Sequence, residues 1–186
     1  MQIILIRHGE PDYTPVDERG FIGQGHDLAP LTENGVNQAR QVSHDPILQG
    51  SQIIVSSPYT RALQTAAIIS KNTAIPLTVE VDLHEWRPDK TYQYKTSQQS
   101  FELHSDFCAC HGKYPDNSER KWESISEIIK RIDPVVQKYY SSGYEKIIIT
   151  AHGGIIRRFT GESNIGYCKP YCVEYGGSFD YYGWVD

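Results

Sequence analysis

Apolar and polar positions follow one pattern three times along the chain: a short run rich in β-branched residues, a polar turn, then residues spaced for a helix face. The first is Gln2-Ile3-Ile4-Leu5-Ile6 followed by Arg7-His8-Gly9-Glu10. The second is Gln52-Ile53-Ile54-Val55 followed by Ser56-Ser57-Pro58, after which Arg61, Ala62, Leu63, Ala66, Ala67 and Ile69 recur at helical intervals. Ser57 is expected there as the N-cap, with Pro58 in the first helical position. The third runs from Lys146 to Thr150, continues through Ala151-His152-Gly153-Gly154 and passes into Ile155 to Phe159. Runs that are apolar on both faces belong in a parallel sheet covered by helices, because a half-exposed strand would alternate with polar residues.

Further elements fill the intervals. Thr32 is placed to cap a helix whose stripe is Val36, Ala39 and Val42, with Leu31 stapling onto Val36. Trp122, Ile125, Ile128, Ile129, Ile132, Val136 and Tyr139 predict a longer helix, with Pro134 as a kink or restart. Pro76 to Leu83 is strand-like, and Cys172 to Val185 reads as one or two edge strands or a hairpin. Residues 86–121 are polar and weakly periodic, which predicts an insertion over the sheet and the site. Residues 1–186 are expected to form a single domain, a length that suffices to bury one core.

Composition narrows the function more by exclusion than by suggestion. A net charge of −5 gives no overall attraction to nucleic acid or to an anionic membrane. Apolar runs such as Ile147 to Ile149 are far below the roughly 20 residues of a membrane helix. Met1 leads directly into an apolar strand without a secretory pattern, so a cytoplasmic location is expected. Cys108, Cys110, Cys168 and Cys172 form two close pairs that could ligate zinc or form disulfides, but reduced thiols are the expectation in that compartment, with no metal at the site.

All three polar turns fall at the carboxyl ends of predicted parallel strands, where ligands bind in open α/β sheets. Arg7, His8, Arg61 and His152 are thereby brought together although distant in sequence. Two arginine forks and two histidines suit an anion with several oxygens, above all phosphate. Gly9 and Gly153 let the backbone come close, and a helix starting near Gly153 aims its N–H groups at the same anion. Neighbouring arginines disfavour an imidazolium, which keeps His8 able to attack phosphorus. An alkoxide leaving group needs a proton, and Glu85, after the strand-like stretch, is the candidate acid. Glu10, beside the nucleophile, is better placed to orient His8 or the arginines.

These residues carry a resemblance. Arg7-His8-Gly9-Glu10, Pro30-Leu31-Thr32-Glu33-Asn34-Gly35 with Gln38-Ala39, Ser57-Pro58-Tyr59-Thr60-Arg61-Ala62 with Gln64-Thr65-Ala66, Leu83-His84-Glu85, and Ala151-His152-Gly153-Gly154 resemble the histidine phosphatase superfamily, also called phosphoglycerate-mutase-like, in order and approximate spacing. The resemblance implies a phosphohistidine on His8, a phosphate pocket of Arg7, Arg61 and His152, Glu85 as proton donor, and no cofactor. It also implies an α/β three-layer sandwich with a mainly parallel central sheet and helices on both faces. Thr14 stands where many members carry a phosphate-holding Asn, so it is the expected partial replacement. Trp86-Arg87-Pro88-Asp89 stands where a glycine-rich stretch often follows the acid.

The expected activity is hydrolysis of a small phosphorylated metabolite, by a phosphatase of the histidine acid type. The alternatives are a phosphomutase of the phosphoglycerate mutase type and an inactive phospho-ligand binding module. Arg19, Arg87, Lys90, Lys95 and Lys113 are possible substrate contacts near the entrance. The aromatic group Tyr167, Tyr171, Tyr175, Tyr181, Tyr182 and Trp184 reads as edge-strand packing. Oligomeric state is open.

Overall fold

The computed structural model describes residues 1–115 and 118–185, so residues 116 and 117 of the expected insertion lie outside the described residues. One sheet holds five strands: β1 (Gln2–Arg7), β2 (Ile53–Ser56), β3 (Leu77–Val79), β4 (Lys146–Ala151) and β5 (Pro170–Glu174). Their spatial order is β3-β2-β4-β1-β5. The first four are mutually parallel, and β5 runs antiparallel along the outer edge of β1. Among the described residues six α-helices accompany them: α1 (Thr14–Asp17), α2 (Glu33–Val42), α3 (Thr60–Thr73), α4 (Ser97–Ala109), α5 (Ile125–Ser141) and α6 (Gly153–Thr160).

The alternation of side chains along a strand splits the core into two layers. Ile3, Leu5, Ile147 and Ile149 face α5 and α6 through Ile128, Ile132, Val136, Ile155 and Phe159. Ile4, Ile6, Ile54 and Ile148 face α2 and α3 through Ala39, Val42, Ala66 and Ile69. All eight strand residues are fully buried, each worth roughly 1.5–3 kcal/mol of hydrophobic transfer. The doubly apolar strands are therefore covered on both faces, as a three-layer α/β sandwich requires.

Several boundaries differ from the sequence reading for identifiable reasons. α3 starts at Thr60 with Tyr59 at its N-cap, because the Ser57 hydroxyl is engaged elsewhere. The cap expected at Thr32 forms, its hydroxyl accepting the Gly35 N–H. Trp122 precedes α5, which is opened by a capping box between Ser124 and Glu127. The helix then continues through Pro134 without restarting. Losing one backbone donor there is offset by the burial of Ile132, Val135, Val136 and Tyr139 around it.

Helix α4 within 86–121 escaped the periodicity reading because its inward stripe is His104, Phe107 and Cys108, at helical spacing but only weakly hydrophobic. At the C-terminus only β5 forms, beginning two residues earlier than expected, and no hairpin follows among the described residues. Gly176-Gly177 ends the strand, with Gly177 at φ +101°, and Phe179 and Tyr181 then pack on Phe159 instead.

Candidate active site

Strand register assembles the site. Arg7 of β1 lies opposite Ala151 of β4, and Ser56 of β2 opposite Thr150. The residues that leave the sheet next, His8, His152 and Ser57, thus emerge side by side. His8 N–H donates to the Ala151 carbonyl at 3.1 Å and Ser57 N–H to the Thr150 carbonyl at 2.9 Å. The first turn of α3 adds Arg61, and a short 3-10 turn at Val81–Leu83 delivers His84 and Glu85.

His8 is 4% exposed, and its Nδ1–H donates to the Gly9 carbonyl at 2.8 Å. That bond leaves Nε2 as the nitrogen with a free lone pair, and Arg61 Nε–H donates to it at 3.2 Å. Burial, then the charges of Arg61 and Arg7, push the imidazole pKa down to about 3, opposed in part by the bond to Gly9. His8 is neutral at any physiological pH, the state in which a histidine can attack phosphorus.

The loop around His8 is stapled from both sides. Gly9 N–H donates to the Thr65 hydroxyl at 3.0 Å, and Glu10 N–H to Gln38 Oε1 at 2.9 Å. Gly9 is needed for close packing and not for ligand approach: a Cβ there would meet the Gly35 carbonyl oxygen at 2.5 Å. The Glu10 carboxylate, expected to orient His8 or the arginines, instead accepts from Thr32 (3.1 Å) and Asn34 (2.7 Å) at the start of α2.

Asp27 takes the orienting role that Glu10 does not. Its carboxylate accepts from Arg61 NH1 at 3.1 Å, while the Tyr59 and Tyr13 rings lie 5.3 and 6.0 Å from the same guanidinium. Burial raises the Asp27 pKa, with Arg61 opposing. Asp27 had no readable signal, because it sits in a polar stretch that carries no α or β periodicity. Arg7 donates through NH1 to the Ile165 carbonyl at 2.7 Å and lies 4.1 Å from the Tyr167 ring, leaving its Nε buried without a partner. Tyr167 therefore sits at the site, 5.7 Å from the His8 ring, and not with the edge-strand aromatics.

His152 is fully buried, 5.1 Å from His8 between ring centres. Its Nε2 pairs with the Ser57 hydroxyl at 2.7 Å, and that oxygen also accepts the Tyr59 N–H at 3.3 Å. With the hydroxyl donating, the one proton of a neutral ring sits on Nδ1, which is buried and unpartnered. Burial, followed by Arg61 and His8, lowers the His152 pKa well below its ordinary value. Glu85 accepts from the N–H groups of Trp86 (2.8 Å) and Gly154 (3.3 Å). A Cβ on Gly154 would lie 2.4 Å from Glu85 Oε1, so this glycine is what admits the carboxylate. Behind it Arg131 donates to the Glu85 carbonyl at 3.3 Å and pairs with the fully buried Glu123 at 2.7 Å.

The remaining expectations separate. Gly153 opens α6 with its α-carbon side facing Arg7, 3.8 Å from Nε to a built Cβ. Thr14 opens α1, exposed, its backbone N–H bonded to Asp12, while its neighbour Tyr13 is the residue that reaches Arg61. Arg87 is paired with Glu123, Lys90 with Glu119 and Glu127, and Arg19 with the Pro15 carbonyl. All four cysteines are free thiols, and among the described residues no three His, Cys, Asp or Glu converge on a metal position. A cavity of about 500 Å³ adjoins the site, lined among others by Arg7, Glu85, Gly153, Gly154 and Arg157.

The profile of the histidine phosphatase superfamily (branch 1) matches residues 3–163. A Hydrogenobacter thermophilus protein named as a phosphoserine phosphatase is 31% identical over 159 residues, 83% of this chain and 74% of that protein. The Escherichia coli adenosylcobalamin/alpha-ribazole phosphatase is 25% identical over 164 residues, 84% of this chain and 75% of that protein. A Salmonella paratyphi C protein named as a phosphoglycerate mutase is 36% identical, but over 85 residues, 46% of this chain and 38% of its own. Among solved structures, a mycobacterial glucosyl-3-phosphoglycerate phosphatase in complex with VO3 shares the fold, with a TM-score of 0.72 at 19% identity over 98% of this chain and 96% of that one. Profile, relatives and fold agree with the register of four strand ends around His8: the chain belongs to the histidine phosphatase superfamily.

Proposed function

We propose that the chain is a phosphomonoester hydrolase acting on small phosphorylated metabolites, with His8 as its nucleophile. The observation that carries this reading is the neutral, buried His8 whose bare Nε2 sits against Arg61. Arg7, Arg61, the Nδ1–H of His152 and the N–H of Gly153 at the start of α6 supply donors for the phosphoryl oxygens. Thr14 completes this set only through a movement of its turn, since Tyr13 is the side chain turned toward Arg61.

In the first step a His8 Nε2–phosphorus bond forms as the ester P–O bond breaks, and Glu85 in its acid form gives its proton to the departing alkoxide. In the second, water attacks phosphorus, Glu85 takes the water's proton, and the N–P bond breaks to release phosphate and restore neutral His8. The pairing of a histidine nucleophile with a carboxyl proton donor at Glu85 is our reason for the finer assignment to phosphatases of the histidine acid type. Within the insertion at about 86–121 of this single domain, Trp86, His104 and Phe107 line the cavity that Arg7 and Glu85 also line, which supports its place over the active site. The substrate is a small phosphorylated molecule with no nucleic-acid or membrane partner, in keeping with the net charge of −5, and the place of action is the cytoplasm. Among the described residues no helix is long and apolar enough to cross a membrane.

Relatives named as phosphatases match more than four fifths of the chain and the mutase less than half, which favours transfer to water over re-donation. Incubation with labelled phosphomonoesters tests the reading. Free phosphate at substantial rates and label trapped on the protein, both lost in His8→Ala, are expected. Isomerised product with little phosphate would make the enzyme a mutase, and unchanged turnover in His8→Ala would overturn the role of His8.

A further inference from the structure

The cavity beside the site is positively charged beyond what the phosphoryl group requires. Besides Arg7 its wall contains Arg157 and Arg158, both from the last turn of α6, against one carboxylate among the described residues, that of Glu85. Arg158 is 5% exposed; its NH1 donates to the carbonyls of Tyr182 and Gly183, while its Nε is buried without a partner. Arg157 makes no side-chain hydrogen bond or ion pair among the described residues, and its Nε is buried as well. Arg158 is withdrawn from water and Arg157 is half-buried, each with a buried Nε donor left unused, an arrangement that is costly unless an anion meets them. Burial and the neighbouring Arg157 press the Arg158 pKa down to about 10, with Glu85 opposing. The facing wall is aromatic: Trp86 lies 4.9 Å from Phe107, and Phe107 lies 5.7 Å from Trp184.

We infer that the substrate's alcohol portion carries a second anionic group, a carboxylate or a phosphate, which Arg157 and Arg158 bind in this cavity while a ring or apolar spacer packs on Trp86 and Phe107. Glu85 lines both the reaction centre and the cavity, so the proton donor stands at the ester oxygen between the two anions. A volume of about 500 Å³ accommodates a metabolite-sized group. The inference rests on the proposed phosphatase reading and names the substrate class for it.

Three aryl phosphates with para substituents test it: 4-carboxyphenyl, 4-carbamoylphenyl and 4-phosphonophenyl phosphate. A kcat/KM for an anionic substrate roughly 10- to 100-fold above that for the isosteric amide is expected, the range of one charge-assisted hydrogen bond. The better of the two anions identifies carboxylate or phosphate as the group recognised. Arg157→Gln should collapse the anionic preference toward unity and Arg157→Lys should restore part of it. Equal kcat/KM for the amide and both anions, or a preference untouched by Arg157→Gln, would overturn the inference. Titration of tryptophan fluorescence with the corresponding benzylphosphonates reads the same preference as a ratio of Kd values without turnover. A protein that prefers the anionic phosphonates yet releases no phosphate from any ester would refute the phosphatase reading and uphold the anion site.

Discussion

Arg61 Nε donates to His8 Nε2 at 3.2 Å while Arg61 NH1 is held by Asp27 at 3.1 Å. The guanidinium that is to grip the phosphoryl group is therefore positioned directly on the nucleophile's lone pair, and this bond must be exchanged for one to phosphate as attack begins. Asp27 decides where the guanidinium goes. Asp27→Asn keeps the shape but removes the charged acceptor, and kcat/KM should fall about tenfold, corresponding to about 1.4 kcal/mol of lost positioning. Steady-state kinetics checks this, and an unaltered value would mean that Arg61 is held by Tyr13 and Tyr59 alone.

Glu85 matters in proportion to the leaving group's need for a proton. Glu85→Gln should lower kcat on an alkyl phosphate by roughly 10²–10⁴. On an aryl ester such as nitrophenyl phosphate, whose phenoxide leaves unaided, the loss should be far smaller. Gly154→Ala should mimic the effect by displacing the carboxylate, since its Cβ would lie 2.4 Å from Oε1. Equal losses on both ester types in Glu85→Gln would assign the acid to another group.

Stability should fall as the solution is made acidic through the histidines' ordinary range. His8 has its pKa lowered to about 3, and His152 and His84 are also lowered, burial being the leading cause in each case. The unfolded chain takes up protons near pH 6.5 that the folded protein refuses, so stability is full above that pH and declines below it. For His8 the slope is about 1.4 kcal/mol per pH unit between those two values, 6.5 and about 3, and His152 and His84 act in the same direction. Denaturant unfolding at pH 7.5, 6.0 and 4.5 measures it, and His8→Asn should flatten the decline.

Glu123 is fully buried and carries two arginines, Arg87 at 3.1 Å and Arg131 at 2.7 Å. Glu123→Ala leaves both without their counter-charge and should cost about 3–5 kcal/mol, read from chemical denaturation. Because Arg131 also holds the Glu85 carbonyl, kcat on alkyl phosphates should drop further than on aryl ones.

Sequence by itself determined the three doubly apolar strands, the helix capped at Thr32, the helices carrying Arg61 and Ile128 to Val136, and the placing of Arg7, His8, Arg61 and His152 at strand ends. Periodicity and end signals are local, and parallel topology converts them into a common location. It did not determine α4, whose inward stripe is His104, Phe107 and Cys108, or the irregular path after β5, because neither has a clean apolar period. Only tertiary structure decided that Asp27 and not Glu10 orients the arginine, that Ser57 serves His152 instead of capping α3, and that Tyr167 lies on Arg7. Those choices depend on distances between groups tens of residues apart. They follow from strand register and from glycines at positions 9, 35 and 154, where a single Cβ would collide with a neighbouring oxygen. A chain pattern can name the residue types a phosphate site needs, but which donors stay unpaired is settled only when every neighbour has taken its hydrogen bonds.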